Sequence, residues 1–339
     1  MTSFERVLAA LSGRFADRRA CTMTLPLYGA RLTGVDPERY YRDPHLYLAG
    51  QLAVVERFDP DIVFGPFALS LEAEAYGVEL SWTSKAPPNV RKPLPRLATL
   101  SLTHARPLGD ARLAFLVEAV RLLASGLGKD RPVAGILTAP IDLPALVFGI
   151  DTWIDILLFD QSLAKTLLDI SVEHFVSLAR AYFAAGAAFV ASPVMFANPR
   201  ILNASLVESL TLPCLSKAFG QAGGPVVFHH GAIPLEEIIG LFRGLPGVAG
   251  FVVDERDSLD KIRETLGPEP LLLGGFTGPL MECRAPERIV ELVRAALENR
   301  KDDPRFILAS SAADIPWDTP SESIDAVFAT VRSSGRGLF

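Results

Sequence analysis

Eight short apolar runs, separated by longer stretches with helical periodicity, restrict what this chain can fold into. The runs are rich in β-branched and other apolar side chains, and they occupy 21–25, 61–65, 132–137, 187–192, 225–229, 250–253, 271–274 and 306–310. Strands that alternate with helices favour a parallel sheet. The sequence therefore predicts an α/β fold, a (β/α)8 TIM barrel with an N-terminal helical extension. A barrel of about 250 residues with insertions accounts for all of 1–339 as a single domain.

Several connecting segments carry their own signals. Residues 1–19 form an amphipathic pattern with interspersed charges, which predicts a helix and not a secretory signal. Apolar residues at helical spacing predict a helix over 285–300. Thr319 and Glu322 stand where a capping box would begin the last helix. The segment 84–97 is rich in proline and basic residues, which predicts a long loop or lid that includes a short hairpin.

Composition excludes several classes of function. The net charge is −6 and the basic residues are scattered, which argues against a nucleic-acid partner. The cysteines Cys21, Cys214 and Cys283 are far apart with no CxxC spacing, so a disulfide framework is not expected and a cytoplasmic location fits best. The most apolar stretch, 135–159, is interrupted by aspartates and prolines, which argues against a membrane span.

Two segments carry the residues most informative about chemistry. They are VVFHHGAI at 226–233 and FILASSAADIPWDTPSESI at 306–324. Side chains two residues apart on a strand share one face, so Phe228 and His230 are predicted to point into the barrel and His229 away from it. One imidazole on that face does not make a zinc site, because three or four ligands are required.

Both segments resemble the metal-ligand strands of the uroporphyrinogen decarboxylase superfamily, in its corrinoid-dependent methyltransferase branch. Methylcobalamin:coenzyme M and chloromethane methyltransferases belong to that branch. The resemblance runs in short blocks from about residue 4 to 332. In the branch a His and two Cys hold zinc, and these positions correspond to Phe228, His230 and Ala313. The resemblance thus implies a methyltransferase whose metal site has been rebuilt or abandoned, so zinc is disfavoured as a cofactor.

The same resemblance implies a corrinoid cofactor. No corrinoid-binding Asp-x-His-x-x-Gly segment is present in the chain. The cobalamin would therefore be carried by a separate corrinoid protein, which is the expected macromolecular partner. A small-molecule methyl donor or acceptor is the second expected partner.

The remaining polar residues suggest acid chemistry at the barrel mouth. An unperturbed histidine titrates near neutrality, so His230 is predicted to act as a general acid. By strand order, Asp254 and Asp314 are the nearest candidates to act with it, either as catalytic residues or as the further ligands that a rebuilt metal site would need. The predicted substrate-binding residues, which the barrel would bring to the same face, are Phe228, His229, Glu72, Glu74, Arg31 and Gly275. The two glutamates follow a strand and would face the mouth, and the glycine would allow the backbone to approach a ligand closely.

Three functions remain open. The leading hypothesis is an enzyme that moves a methyl group between a small donor, an O-methyl compound or a pterin, and the cobalt of a corrinoid protein. The second is a cofactor-independent decarboxylase or lyase, with Arg31 and the basic loop binding carboxylates. The third is a non-catalytic barrel that binds a corrinoid protein. The oligomeric state is also open, with a homodimer among the alternatives.

Overall fold

A computed structural model describes residues 1–96, 98 and 109–334. All eight predicted strands are confirmed. Together with a separate hairpin, the strands are Cys21–Thr22 (β1), Val63–Phe64 (β2), Glu79–Thr83 (β3), Ala86–Lys92 (β4), Val133–Ile136 (β5), Phe189–Pro193 (β6), Val226–His229 (β7), Val248–Val252 (β8), Leu271–Thr277 (β9) and Phe306–Ser311 (β10).

The parallel strands form one sheet in the order β1-β10-β9-β8-β7-β6-β5-β2. The two ends of this order approach each other, because the backbone N–H of Asp61 donates to the carbonyl oxygen of Cys21 at 2.8 Å. The Thr22 hydroxyl also donates to the carbonyl oxygen of Ile62 at 3.0 Å. The sheet is therefore a nearly closed barrel surrounded by helices, as the alternation of strands and helices predicts.

The helices connect the strands and cover the outside of the barrel. They are Ser3–Leu11 (α1), Pro26–Thr33 (α2), Pro37–Tyr40 (α3), Pro44–Phe58 (α4), Ser70–Glu74 (α5), Ala111–Leu127 (α6), Leu143–Phe148 (α7), Ile150–Phe159 (α8), Gln161–Ala184 (α9), Ala204–Leu206 (α10), Leu212–Gln221 (α11), Leu259–Leu266 (α12), Pro286–Asn299 (α13) and Ser321–Ser334 (α14). Shorter turns are a π-helix at Val207–Thr211 and 3₁₀ helices at Ile239–Leu241 and Pro279–Met281. Across the described part of the chain, no helix combines the length and apolarity needed to cross a membrane.

Alternation along the strands divides the buried residues into two layers. One layer fills the barrel interior and includes Ile136, Val227 and Leu273. The other lies between the strands and the surrounding helices and includes Phe228 and Phe251. A residue on a strand therefore faces either the interior or the helices, and this determines which side chains can contribute to a site.

The N-terminal extension closes the lower end of the barrel. Val7 and Ala10 of α1 pack with the interior layer at the amino ends of the strands. Beside them the buried carboxylate of Asp61 binds the guanidinium groups of Arg6 and Arg18, at 3.2 Å and 2.5 Å. Because this end is sealed by apolar side chains and ion pairs, only the carboxyl ends of the strands open to solvent.

The predicted hairpin in 84–97 is confirmed. Strands β3 and β4 pair antiparallel, and their turn lies beside the open end of the barrel. The hairpin is held to α5 by a 2.6 Å hydrogen bond from the Ser70 hydroxyl to the carbonyl oxygen of Pro88. Residue 97, at the end of the predicted loop, lies outside the described residues.

The predicted capping box at the last helix is wrong. Helix α14 begins at Ser321, and the hydroxyl of Thr319 is buried with no hydrogen-bond partner among the described residues. The Thr319 carbonyl oxygen instead accepts a hydrogen bond from the hydroxyl of Tyr28 at 2.9 Å. Tertiary contacts with α2 thus fix this turn in place of a local cap.

Candidate active site

The end of β7 is oriented differently from the prediction. His229 and Val227 face the barrel interior, where they line a small apolar cavity. Phe228 faces the helical layer, with its ring centroid 4.6 Å from that of Phe242 and 5.6 Å from that of Phe251. The expectation that Phe228 points inward and His229 outward is therefore wrong, because the aromatic ring is buried in a cluster outside the barrel.

His229 is buried at the top of the barrel interior. Its Nδ1 accepts a hydrogen bond from the backbone N–H of Gly231 at 3.1 Å. Burial lowers the pKa of the imidazole well below its usual value, with the neighbouring His230 acting in the same direction. The two imidazoles stack with their centroids 4.6 Å apart. His229 is therefore a neutral side chain at the upper end of the apolar interior.

His230 is completely buried, and of its two ring nitrogens only Nε2 has a hydrogen-bond partner among the described residues. Its Nε2 accepts a hydrogen bond from the backbone N–H of Ala312 at 3.0 Å, and its Nδ1 lies 3.4 Å from Oδ2 of Asp254. Because Nε2 is an acceptor, this network assigns the proton of the neutral ring to Nδ1. Burial lowers the pKa of His230 to about 4. The expectation that it titrates near neutrality is wrong, and the geometry does not favour it as an acid for a bound molecule.

Asp254 lies beside His230, as expected from strand order, but an arginine occupies its carboxylate. Arg256 donates from Nε to Oδ1 at 2.7 Å and from Nη2 to Oδ2 at 2.9 Å. Burial acts to raise the pKa of Asp254, but the hydrogen bonds from Arg256 more than offset this and lower it. Asp254 is therefore a paired carboxylate that supports His230.

Asp314 is the predicted catalytic residue that reaches an open cavity. Its Oδ1 accepts a hydrogen bond from the backbone N–H of Leu27 at 3.2 Å. Its Oδ2 is buried and has no hydrogen-bond partner within the described ranges. Burial raises the pKa of Asp314 well above its usual value. Burial therefore favours the neutral, protonated form of this carboxyl group, and in that form it can act as a hydrogen-bond donor.

The cavity beside Asp314 lies at the open end of the barrel and has a volume of about 340 Å³. Its walls come from the segment after β1, the hairpin turn and the loop after β10. They include the rings of Phe67 and Trp317. At the rim, Nζ of Lys85 lies 2.8 Å and 2.9 Å from the two carboxylate oxygens of Asp318. The cavity thus combines apolar walls, one neutral carboxyl group and an ion pair at its edge.

Glu72 and Glu74 do not face this cavity, and the expectation that they do is wrong. Glu72 is buried, and its Oε1 accepts hydrogen bonds from the backbone N–H and the hydroxyl of Thr138, each at 2.7 Å. Glu74 forms a surface ion pair with Arg42. Both carboxylates therefore connect elements of the scaffold.

Arg31 and Gly275 also have structural partners. Nη1 of Arg31 donates to the carbonyl oxygens of Trp317 and Thr319, the first at 2.6 Å. Gly275 has φ +119°, and a Cβ built there would lie 2.9 Å from Leu308 Cδ1 and 3.0 Å from Ala296 Cβ. The glycine permits close packing of strand and helix, so the expectation that it opens space for a ligand is wrong.

The residues at the family zinc positions do not fit a zinc ion. Phe228 and Ala313 have no ligand atoms, and the first of them faces the helices. The Nε2 lone pair of His230 accepts a backbone hydrogen bond. Among the described residues, no three His, Cys, Asp or Glu side chains are grouped so as to hold a metal. Phe228, His230 and Ala313 therefore do not form a zinc site.

Sequence reasoning missed two contributors to the mouth, Trp317 and the ion pair between Lys85 and Asp318, and one buried carboxyl group outside the mouth cavity, Asp142. Trp317 lies inside the quoted motif, and its place in a loop after a barrel strand was the available signal. The ion pair between Lys85 and Asp318 joins segments 233 residues apart, so no local pattern indicates it. Asp142 accepts hydrogen bonds from the backbone N–H groups of Met195 and Phe196. Burial raises the pKa of Asp142 to about 7.

Comparison with known proteins agrees with the fold. A methylcobamide:CoM methyltransferase, MtaA from Methanosarcina barkeri, is 24% identical over 338 residues, covering 96% of each chain. The enzyme MtbA from Methanosarcina mazei is 25% identical over 154 residues, 45% of each chain. A solved methyltransferase from Methanosarcina mazei superposes with a TM-score of 0.86 at 24% identity, covering 98% of this chain and 99% of that one.

A more distant solved structure shares the architecture. A B12-independent methionine synthase from a Shewanella species has a TM-score of 0.58 at 14% identity, covering 88% of this chain and 90% of that one. Residues 2–334 match the family described as "Uroporphyrinogen decarboxylase (URO-D)". With nearly the whole barrel matched, the chain belongs to the uroporphyrinogen decarboxylase family.

Proposed function

We propose that this protein is a methyltransferase that moves a methyl group from a small O-methyl compound to the cobalt of a separate corrinoid protein. The observation that supports this most is Asp314, which lines the cavity at the open end of the barrel and whose buried Oδ2 has no hydrogen-bond partner among the described residues. Relatives named as methylcobamide:CoM methyltransferases support the methyl-transfer class. The nature of the donor is inferred from the site.

An O-methyl donor fits a neutral carboxyl group. When its C–O bond breaks, the electron pair stays on oxygen, and an alkoxide or phenoxide is a poor leaving group without a proton. The O–H of Asp314 would supply that proton, and the resulting carboxylate would regain one from water at the open mouth. Cobalt(I) of the corrinoid supplies the nucleophile that receives the methyl group. The proton donor would thus do what a Lewis acid does in a metal site.

The walls of the cavity favour a flat donor with little negative charge. Phe67 and Trp317 provide aromatic surfaces against which a planar ring can pack. Apart from the neutral carboxyl group of Asp314, the lining carries Glu282 and Asp318 against Lys85, which already pairs with Asp318, so Glu282 leaves a net negative charge. A substrate with several carboxylates would be repelled. This argues for an aryl methyl ether and against a decarboxylase of polycarboxylates.

The test is methyl transfer from 2-methoxyphenol to cob(I)alamin, followed by the absorbance of methylcobalamin. A 5-methyltetrahydropterin serves as the alternative donor. Asp314→Asn is expected to lower kcat by about 100-fold or more, the usual contribution of a general acid, while KM changes little. Asp169→Asn, which removes a carboxylate from an exposed ion pair with Lys217, is the control and should keep full activity.

Four results would count against the proposal. Full activity of Asp314→Asn would show that Asp314 is not the general acid. Methyl transfer from the pterin but not from 2-methoxyphenol would show that the donor is not an O-methyl compound. Carbon dioxide release from a carboxylated ring compound, without methyl transfer, would favour the decarboxylase. A protein that transfers no methyl group but binds a corrinoid protein stably would favour the non-catalytic alternative.

A further inference from the structure

Two loops at the barrel mouth are joined by one side chain. The loop after β7 contains His230, and the loop after β10 contains Ala312, whose N–H donates to Nε2 of that histidine at 3.0 Å. Strands β7 and β10 are not neighbours, because β8 and β9 lie between them in the sheet. The hydrogen bond therefore spans the mouth and does not belong to the strand ladder.

Both loops contain an alanine in a left-handed conformation. Ala232 has φ +69° and Ala312 has φ +70°. For a residue with a Cβ this conformation is strained, and it persists only when surrounding contacts hold it. Arg256 Nη2 donates to the carbonyl oxygen of Ala232 at 2.9 Å, and His230 binds the amide of Ala312. The contacts that could hold both alanines thus come from a single group of side chains.

The contacts of Arg256, Asp254 and His230 fix which ring nitrogen of the histidine accepts a hydrogen bond. Arg256 binds both oxygens of Asp254, and Asp254 Oδ2 faces Nδ1 of His230 at 3.4 Å. Nε2 accepts the N–H of Ala312, so the proton of the neutral ring is on Nδ1, which has no hydrogen-bond partner among the described residues and lies on the side of the Asp254 carboxylate. The imidazole can then bind a backbone N–H but has no proton to give on the side of the β10 loop.

The amide that His230 binds lies two residues before Asp314. Beyond that carboxyl group, the backbone N–H of Ile315 donates to the carbonyl oxygen of Thr24 at 2.8 Å. The segment from Ala312 to Ile315 is thus held at both ends, by His230 at one and by the segment after β1 at the other. Removing the first attachment frees the backbone that directs the Asp314 side chain.

We propose that His230 is a positioning residue: supported by Asp254 and Arg256, it holds Ala312 left-handed and so directs the carboxyl group of Asp314 into the mouth cavity. The hydrogen bond thereby joins the loops after β7 and β10, which are the two segments that resemble the metal-ligand strands of the methyltransferase branch. The catalytic consequence rests on the proposed function. The structural consequence does not.

The test is a double-mutant cycle between His230→Leu and Ala312→Gly. Glycine adopts a left-handed φ without strain, so the loop should need the imidazole less in that background. Hydrogen exchange of peptides that cover 308–318 reports the order of the loop without any assay of methyl transfer. His230→Leu is expected to accelerate exchange of the Ala312 amide at least 10-fold and to lower kcat with 2-methoxyphenol about 10-fold or more, with KM nearly unchanged.

Ala312→Gly should restore most of that kcat in the double variant, and His230→Gln, which keeps an acceptor, should restore part of it in the single one. Arg256→Met is the second probe should the leucine variant fail to fold, because its side chain is 63% exposed. It too should accelerate exchange at Ala312. Unchanged exchange in the variants that fold, or equal losses of kcat in the alanine and glycine backgrounds, would overturn the proposal. Accelerated exchange in a protein with no methyl transfer would overturn the proposed function alone.

Discussion

Oε2 of Glu72 lies 2.8 Å from Nε2 of His174, and neither side chain is more than 1% exposed. The other oxygen of the glutamate binds Thr138, so one carboxylate joins α5, α9 and the loop after β5. Glu72→Ala would leave three buried polar groups without a partner. We expect a loss of about 3–5 kcal/mol in the free energy of unfolding, measured with urea. Glu74→Ala removes a surface ion pair and should cost less than about 1 kcal/mol; equal losses would contradict the buried network.

Phe228→Ala tests the orientation of β7. The ring packs between Phe242 and Phe251, so its removal should leave a cavity and destabilise the protein by about 3–5 kcal/mol. Phe159→Ala is the matched control, because that ring is 80% exposed and its loss should change stability by less than about 0.5 kcal/mol. If Phe228 faced an open site instead, the two variants would be similarly stable.

Gly275→Ala separates backbone strain from crowding. Gly77 also has a positive φ, +95°, but a Cβ there would meet nothing within 4 Å. We expect Gly77→Ala to cost about 1–2 kcal/mol from strain alone. Gly275→Ala should cost about 1–3 kcal/mol more, because the methyl group collides with Leu308 and Ala296. Thermal unfolding of the two variants gives the comparison, and equal midpoints would contradict the contact.

The pH dependence of stability should report His230. Its pKa falls from about 6.5 to about 4 on folding, so the folded state favours the neutral ring. The stabilisation of the folded state by the neutral ring is complete above pH 6.5, and it is lost as the pH falls toward 4. One such group changes the free energy of unfolding by at most about 1.4 kcal/mol per pH unit. Urea unfolding of the parent should therefore weaken more steeply between pH 6.5 and 4.5 than that of His230→Gln. Parallel curves would mean that the imidazole is not buried as described.

The order of strands and helices could be predicted from the sequence because each strand is a local apolar run. Which side chains of β7 point into the barrel could not be predicted from the sequence. Its four residues are all buried, so no alternation of polar and apolar side chains shows which of Phe228 and His229 is inside. The zinc-like motif then suggested the opposite face. Only the packing of Phe242, from a loop beyond the strand, settles the orientation.

The candidate site was predictable in part. The motif after β10 contains both Asp314 and Trp317, and its place after a barrel strand located the mouth. The burial of Glu72 depends on His174, which is 102 residues away in the chain, so the local acidic pattern after a strand predicted a side chain that faces the mouth. The chemistry of Asp314 depends likewise on Leu27 and the apolar surroundings that the fold brings to it.

Val7 and Ala10 of α1 close the amino ends of the strands, and this affects the order in which two reactants can bind in the barrel. Because the described residues close the amino ends of the strands, a small molecule and a macromolecule would arrive and depart through the same rim. A large partner seated there would trap whatever lies beneath it. Binding should consequently follow a compulsory sequence, with the small molecule entering first and leaving last.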